Sequence, residues 1–330
     1  MAEIVLGVGA AHGPLLSTPP EQWDLRAKAD RENKKHWFRG KTYDFESLLA
    51  ARAPGFAAEV ELAVRQERYA RCRKAIDQLR DIFHAAAPEA LVIVGNDQRE
   101  FFDDDLTPAI TIYNGDVIEN VQHLHESSPG LNIAEVGNAP EQGATYQGAP
   151  ELANHLLQSL QDDNFDLAQS SRTTVGGKRH GIPHAYGFLY HTLLQGAPPP
   201  SVPVILNVHF PHNQPKTRRC LQLGVALQKA IRSFQGYKRV AVMASGGLSH
   251  FVVDEELDRR VLNAMEKGDE ESLATIPENY FKVGTAEIKN WYPMISCMNA
   301  EGKKYHCLDY VPCYRSEAGT GCAMAFVYWQ

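Results

Sequence analysis

Long apolar runs are missing from this 330-residue chain; the longest are strand-length, so no segment reads as membrane-spanning. Cysteine is scarce: Cys72, Cys220, Cys297, Cys307, Cys313 and Cys322 are scattered and form no C-x-x-C pair. For a chain this long that excludes a disulfide framework and gives the expectation of reduced thiols in a cytoplasmic protein. Cys307 and Cys313 lack a second pair at ligand spacing, which argues against a thiolate metal site. Positive charge is not in excess, since 33 Lys and Arg stand against 40 Asp and Glu, a net of −7. The basic stripe of a nucleic-acid or anionic-membrane binder is therefore absent. Met1 leads straight into a strand pattern with no basic-then-apolar leader, which fits the cytoplasmic expectation. Internal repeats, low-complexity tracts, a G-x-S-x-G elbow, a P-loop and H-E-x-x-H are all lacking. Gly7-Val8-Gly9-Ala10-Ala11-His12 fails as a dinucleotide fingerprint, because histidine holds the third glycine position and Pro14 follows.

What is present is an ordinary globular composition, 44% hydrophobic and 22% charged, arranged as alternating strand and helix patterns. Ile4–Gly9, Ala90–Gly95, Val202–Val208, Val240–Ala244 and Cys322–Tyr328 are short apolar runs bounded by Gly, Pro or polar residues, as in strands buried on both faces. Apolar spacing near three and four predicts helices over about Ala57–Ala86, Glu151–Gln161, His184–Leu194 and Cys220–Phe234, and a mostly helical stretch over Glu255–Met298. Ala27–Lys35 reads as helix or solvated loop, and Gly115–Pro150, rich in glycine, proline and acids, as a long excursion. This alternation implies an α/β fold with a central mixed or mostly parallel sheet flanked by helices. Because functional positions come from both ends of the chain, residues 1–330 are read as a single domain.

In an open α/β sheet, ligands bind beyond the carboxyl ends of the strands. Two histidines, His12 and His250, each follow such a strand from distant parts of the chain. Asn96-Asp97-Gln98 follows a third, which places Gln98 at the same edge. His180 sits in a Gly/Pro loop, Arg179-His180-Gly181-Ile182-Pro183-His184, of the kind that displays catalytic groups. His184 reads either as a helix cap or core imidazole or as a site residue. His209 and His212 also follow a strand, but their spacing decides nothing. A distributed set of His, Gln and acidic residues suits a mononuclear metal assembled from separate loops.

At this point the chain resembles the class III extradiol ring-cleavage dioxygenases, the superfamily of protocatechuate 4,5-dioxygenase. The resemblance rests on Gly9-Ala10-Ala11-His12-Gly13-Pro14, Asn96-Asp97-Gln98, the loop at His180, Gly246-Gly247-Leu248-Ser249-His250 and Gly284-Thr285-Ala286-Glu287, in that order. Within the superfamily the opening residues, His36-Trp37-Phe38-Arg39-Gly40 and the Asn-Asp-Gln triplet look most like the 3-O-methylgallate dioxygenases. The resemblance implies one Fe(II) held by two histidines and a glutamate, with open positions for a catechol and dioxygen. His12 would be the first ligand and Glu287 the carboxylate. The second histidine normally ends an Asn-Asp-His triplet, and here Gln98 stands in its place. Gln98 is then either an unusual ligand or a neighbour of the ligands, with a water or another histidine (His36, His184 or His209) completing the set. His250 matches the family's acid/base histidine, and His180 a second active-site histidine.

The activity so implied is extradiol opening of a carboxylated or methoxylated catechol, such as 3-O-methylgallate or a related lignin-derived acid, by dioxygen. Lys178, Arg179, Lys216, Arg218 and Arg219 are candidate partners for a substrate carboxylate. A homodimer is the default assembly for such enzymes. The departure at Gln98 keeps two other readings in view: a non-catalytic homologue that serves as a binding module, and a zinc-dependent hydrolase using the same edge.

Overall fold

A computed structural model describes residues 1–124, 129–175, 178–179 and 181–330. Four strands form its parallel centre: β1 (Glu3–Ala10), β2 (Ala90–Asn96), β5 (Ser201–Leu206) and β6 (Arg239–Ser245), laid side by side in the order β1-β6-β2-β5. Beyond β5 lie β3 (Ile110–Tyr113), antiparallel to it, and β4 (Ala168–Ser170). On the other side β9 (Thr320–Trp329) runs antiparallel to β1, to β7 (His250–Val252) and to β8 (Tyr305–Tyr314), giving nine strands among the described residues. The sheet is therefore mixed with a parallel heart, as the strand patterns imply.

Alternation along the strands divides the core into two layers. Val92, Val94, Val240, Val242, Val202 and Val204 face one layer, to which α3 (Pro150–Asp162), α5 (Thr217–Ser233), α6 (Glu255–Lys267) and α7 (Ile288–Glu301) contribute. Leu91, Ile93, Ala241, Met243 and Ile205 face the other, covered by α2 (Leu62–Ala86) and the helical stretch His184–Leu193. That stretch is α4 (His184–Phe188) followed by a wider π turn over Leu189–Leu193. Both faces of the central strands are sealed, which is why their sequences are continuous apolar runs.

Two parts of the chain are more ordered than their sequences suggest. Gly115–Pro150 contains an antiparallel pair, Val117–Asn120 with Ala144–Gln147. β8 was not anticipated, because its pattern Tyr305-His306-Cys307-Leu308-Asp309-Tyr310 mixes polar with apolar residues. Most of its positions are only partly buried, Val311, Cys313 and Tyr314 excepted, and β9 supplies its pairing. Ala27–Lys35 resolves into α1 (Trp23–Glu32) and the start of a small hairpin, His36–Phe38 with Lys41–Tyr43. Among the described residues no helix is long and apolar enough to cross a membrane.

The register brings four carboxyl ends to one level: Ala10 pairs with Ser245, Ala244 with Val94, and Asn96 with Leu206. Close approach of α7 to β1 requires glycine in that strand. A Cβ on Gly9 would lie 2.7 Å from the Trp291 ring and 2.8 Å from Val327. Gly9→Ala is accordingly expected to destabilise the fold by about 1–3 kcal/mol through overpacking. Chemical denaturation measures this, and an unchanged midpoint would mean that α7 can step back freely.

Candidate active site

Glu287 is the centre of the site. It ends a 3-10 turn, Val283–Glu287, that runs directly into α7, and it is 1% exposed. Its Oε2 lies 3.2 Å from His12 Nε2 and 3.4 Å from His250 Nε2, and it accepts from the Gly247 backbone N–H at 3.3 Å. Its Oε1 accepts from the Gln98 amide nitrogen at 2.9 Å and lies 3.5 Å from His209 Nε2. Burial by itself would raise the Glu287 pKa, but His12, His250 and the hydrogen bonds hold it well below the ordinary carboxylate range. These partners come from the carboxyl ends of β1, β6, β2 and β5, so the parallel centre of the sheet assembles the site.

Each imidazole is oriented through its other nitrogen. Ser245 Oγ donates to the Ala185 carbonyl and so accepts from His12 Nδ1 at 2.8 Å, leaving the His12 Nε2 lone pair facing Glu287. Burial lowers the His12 pKa against the opposing pull of Glu287, which favours this neutral form. His250 Nδ1 donates to the Leu248 carbonyl at 2.7 Å, and its Nε2 likewise faces the carboxylate. Thr285 clamps the His250 backbone, accepting from its N–H at 3.1 Å and donating to its carbonyl at 2.8 Å. The segment that carries Glu287 therefore also positions His250.

The Asn-Asp-Gln triplet divides its labour. Asn96 is fully buried; its amide nitrogen reaches His209 Nε2 at 3.0 Å, and its oxygen accepts from Asn290 at 2.6 Å. Asn290 also donates to the Ser245 carbonyl at 3.0 Å, which ties β2, β6 and α7 together. Asp97 accepts from the backbone N–H groups of Arg99, Glu100, Phe101 and Phe102 and so folds the following loop. Gln98 points at Glu287 with its amide nitrogen.

That loop delivers a group the sequence did not single out. Glu100 meets His184 Nδ1 at 2.6 Å, and the His184 ring packs edge-on against His12 with centroids 4.8 Å apart. Burial opposes the imidazolium form of His184, but Glu100 outweighs it and pushes the pKa up to about 9. His12, His184 and Glu287 each offer one ligand atom, and these atoms lie within 4.8 Å of one another, a possible metal-binding group. Their chemistry fits a divalent transition ion: two imidazole nitrogens and one carboxylate oxygen, with His184 backed by a carboxylate in the manner common for metal-bound histidines. Of the two readings of His184, the structure favours the site residue. Only its position at the start of a predicted helix, just after a Gly/Pro loop, could have hinted at this.

Other expectations fall elsewhere. His180 lies outside the described residues. His36 is buried away from the site, with its Nε2 2.8 Å from the Asp30 carbonyl oxygen. Arg218 is paired with Glu271 at the surface, Arg219 with the Asn164 carbonyl, and Lys216 is exposed. None of these three lines the cavity of about 170 Å³ above Glu287. That cavity is walled by His12, Gln98, His184 and His250 and also by Ser17, Arg26, Glu135 and Phe251.

Residues 53–319 match the family described as the catalytic LigB subunit of aromatic ring-opening dioxygenase, and the chain belongs to that family. It is similar to a 2,3-dihydroxyphenylpropionate/2,3-dihydroxicinnamic acid 1,2-dioxygenase of Comamonas testosteroni, 30% identical over 179 residues, 54% of this chain and 48% of that protein. It is also similar to a gallate dioxygenase of Pseudomonas putida, 27% identical over 194 residues, 54% of each chain. The chain thus spans about half the length of the curated relatives it matches.

One buried acid behind His250 gives a pH test. Asp258 accepts from the Ser249 backbone at 2.8 Å, from Ser249 Oγ at 2.7 Å and from Tyr310 at 2.8 Å. Burial nevertheless raises its pKa to about 7. A carboxyl whose folded pKa exceeds its unfolded value stabilises the fold at low pH, and stability declines as pH rises from about 4 to about 7. Asp258→Asn removes that titration. Relative to the parent its melting temperature is expected to rise between about pH 4 and pH 7; a constant difference there would show that Asp258 stays ionised.

Proposed function

We propose that this protein is a non-haem Fe(II) extradiol dioxygenase that opens the ring of a carboxylated or methoxylated catechol, such as 3-O-methylgallate, beside its two hydroxyls. The observation that carries the reading is the meeting of two neutral-oriented imidazoles, from His12 and His250, on one oxygen of the buried Glu287, in a cavity at the carboxyl edge of the sheet. The names of the relatives specify dihydroxyphenylpropionate and gallate, both aromatic carboxylates, which supports the substrate class. His12, His184 and Glu287 would hold the ion, with Gln98 beside them restraining the carboxylate through its amide. Iron bound there supplies the chemistry that joins an electron-rich ring to dioxygen.

The protein's own part is to position and to move protons. His250 Nε2, with its Nδ1 committed to Leu248, accepts a proton from a catechol hydroxyl and returns it to oxygen later in the reaction. An imidazole anchored through one nitrogen, with the other facing the cavity, can both take and return a proton. His184, backed by Glu100, keeps its Nε2 turned to the cavity. The surrounding walls, Phe251 among them, limit water around the reacting atoms. In the balanced reaction a ring carbon–carbon bond breaks next to a hydroxylated carbon, and both atoms of dioxygen enter the product. All six thiols are unpaired, which supports a reducing, cytoplasmic setting for the enzyme.

Anaerobic purification, metal analysis and oxygen uptake with substituted catechols test this reading. Zinc without oxygen consumption would indicate a hydrolase, and absence of both metal and uptake a binding module; either overturns the proposal. Glu287→Ala is expected to lose iron with the fold retained, and wild-type iron content in that variant would remove Glu287 from the ligand set. His250→Phe is expected to keep iron and lose turnover by about 10²–10⁴-fold, the usual worth of a positioned acid/base group. Loss of metal there would make His250 a ligand. His184→Ala is expected to weaken iron retention more than Gln98→Ala does, and the reverse order would return Gln98 to the ligand set.

A further inference from the structure

The cavity holds one cation that nothing above employs. Arg26, on α1, is the single lysine or arginine among the described residues that line it. Among the described residues its guanidinium donates no hydrogen bond, and its Nε is buried without a partner. The acids around it are committed elsewhere. Asp30 takes both arms of Arg315, at 2.5 and 2.8 Å, and also the Thr320 hydroxyl at 2.5 Å. Glu135 accepts from the His123 backbone at 3.0 Å and from Asn138 at 2.9 Å. Glu100 is held by His184, and Glu287 by the imidazoles and Gln98. Arg315 adds a second positive charge nearby. Burial, with Arg315, lowers the Arg26 pKa to about 10, so it stays protonated at neutral pH.

A half-buried guanidinium with its Nε buried and without a partner is unfavourable in a substrate cavity unless the ligand brings the anion. The planar fork of arginine matches a carboxylate in bidentate fashion, which a catechol hydroxyl cannot satisfy. We propose that Arg26 grips the carboxylate of the aromatic substrate and so selects carboxylated over uncarboxylated catechols. This inference rests on the ring-cleavage reading and names the residue behind its substrate class.

The test uses the Fe(II)-loaded protein, 3,4-dihydroxybenzoate and catechol as probes, and the variants Arg26→Met and Arg26→Lys. Anaerobic calorimetry is expected to show the parent preferring the acid by about ten- to a hundredfold, the range for a hydrogen-bonded charge. Arg26→Met should erase that preference by weakening the acid while leaving catechol unchanged, and Arg26→Lys should retain part of it. Without ligand, Arg26→Met should melt at or above the parent, because an uncompensated buried charge has gone. A preference that survives in Arg26→Met, equal weakening of both probes, a clear fall in melting temperature, or a parent that binds neither probe would each overturn the inference. The two readings fail separately. A parent that prefers the acid yet consumes no oxygen with any catechol sinks ring cleavage and leaves the carboxylate subsite. Oxygen uptake without any preference for the acid sinks Arg26 alone.

Discussion

Everything at this sheet edge depends on keeping one carboxylate, Glu287, ionised out of water. Burying a bare carboxylate costs several kcal/mol, and the expense is tolerated only where hydrogen bonds and positive or polarised groups surround it. Here the donors are the Gln98 amide and the Gly247 N–H, while the Nε2 atoms of His12 and His250 converge on the same carboxylate oxygen, an arrangement suited to a cation shared among them, with His209 close by. No two strands could supply that set. It takes the carboxyl ends of four adjacent parallel strands at one level, together with a helix whose first residue follows the carboxylate. The parallel centre of the sheet and the close seating of α7 on glycine-bearing β1 are therefore conditions for the site as well as for the fold.

A second constraint acts on the imidazoles. A ring free to flip or to change tautomer would present a lone pair to the cavity only part of the time. Ser245 Oγ, the Leu248 carbonyl and Glu100 each occupy the Nδ1 of one histidine, so that three Nε2 atoms are turned inward. The anchors differ in kind, and so do the consequences. A hydroxyl and a carbonyl only fix the orientation of His12 and His250, whereas the carboxylate of Glu100 makes His184 more basic. A more basic imidazole is a stronger donor to a cation, which fits His184 for holding an ion and leaves His250, on a neutral carbonyl, fit for proton exchange.

The sheet edge was legible because strands buried on both faces are continuous apolar runs, and the residue just past each run is fixed in space by the backbone. His12, Gln98 and His250 were found that way. Glu287 was reached only through family resemblance, since a glutamate at a helix start looks like any solvated one. Glu100 and Arg26 carried no signal at all. Glu100 reaches His184 only because Asp97 gathers four backbone N–H groups and folds its loop back, and Arg26 is set by the packing of α1. Such tertiary placements have no period or motif. β8 escaped notice for a related reason: a strand partly buried over most of its length and irregular at Cys307–Asp309 resembles a loop when read alone.

The position of α1 shows how the two ends of the cavity are built by different means. The Glu287 end stands on sheet hydrogen bonds and on residues lying mostly within the span that matches the family, 53–319. The Arg26 end lies before that span, on a short helix with no sheet to fix it. It is held by the buried pair of Asp30 with Arg315, reinforced by Thr320, and by Arg31 with Glu317 at its outer side. A buried ion pair adds little net stability once desolvation is counted, but its geometry is demanding. Its worth here is positional, since it fastens α1 to the turn between β8 and β9. By consuming the charge of Asp30 it also leaves Arg26, one helical turn back, without a hydrogen-bond partner among the described residues. The same contact that docks the helix thus creates the open cationic site.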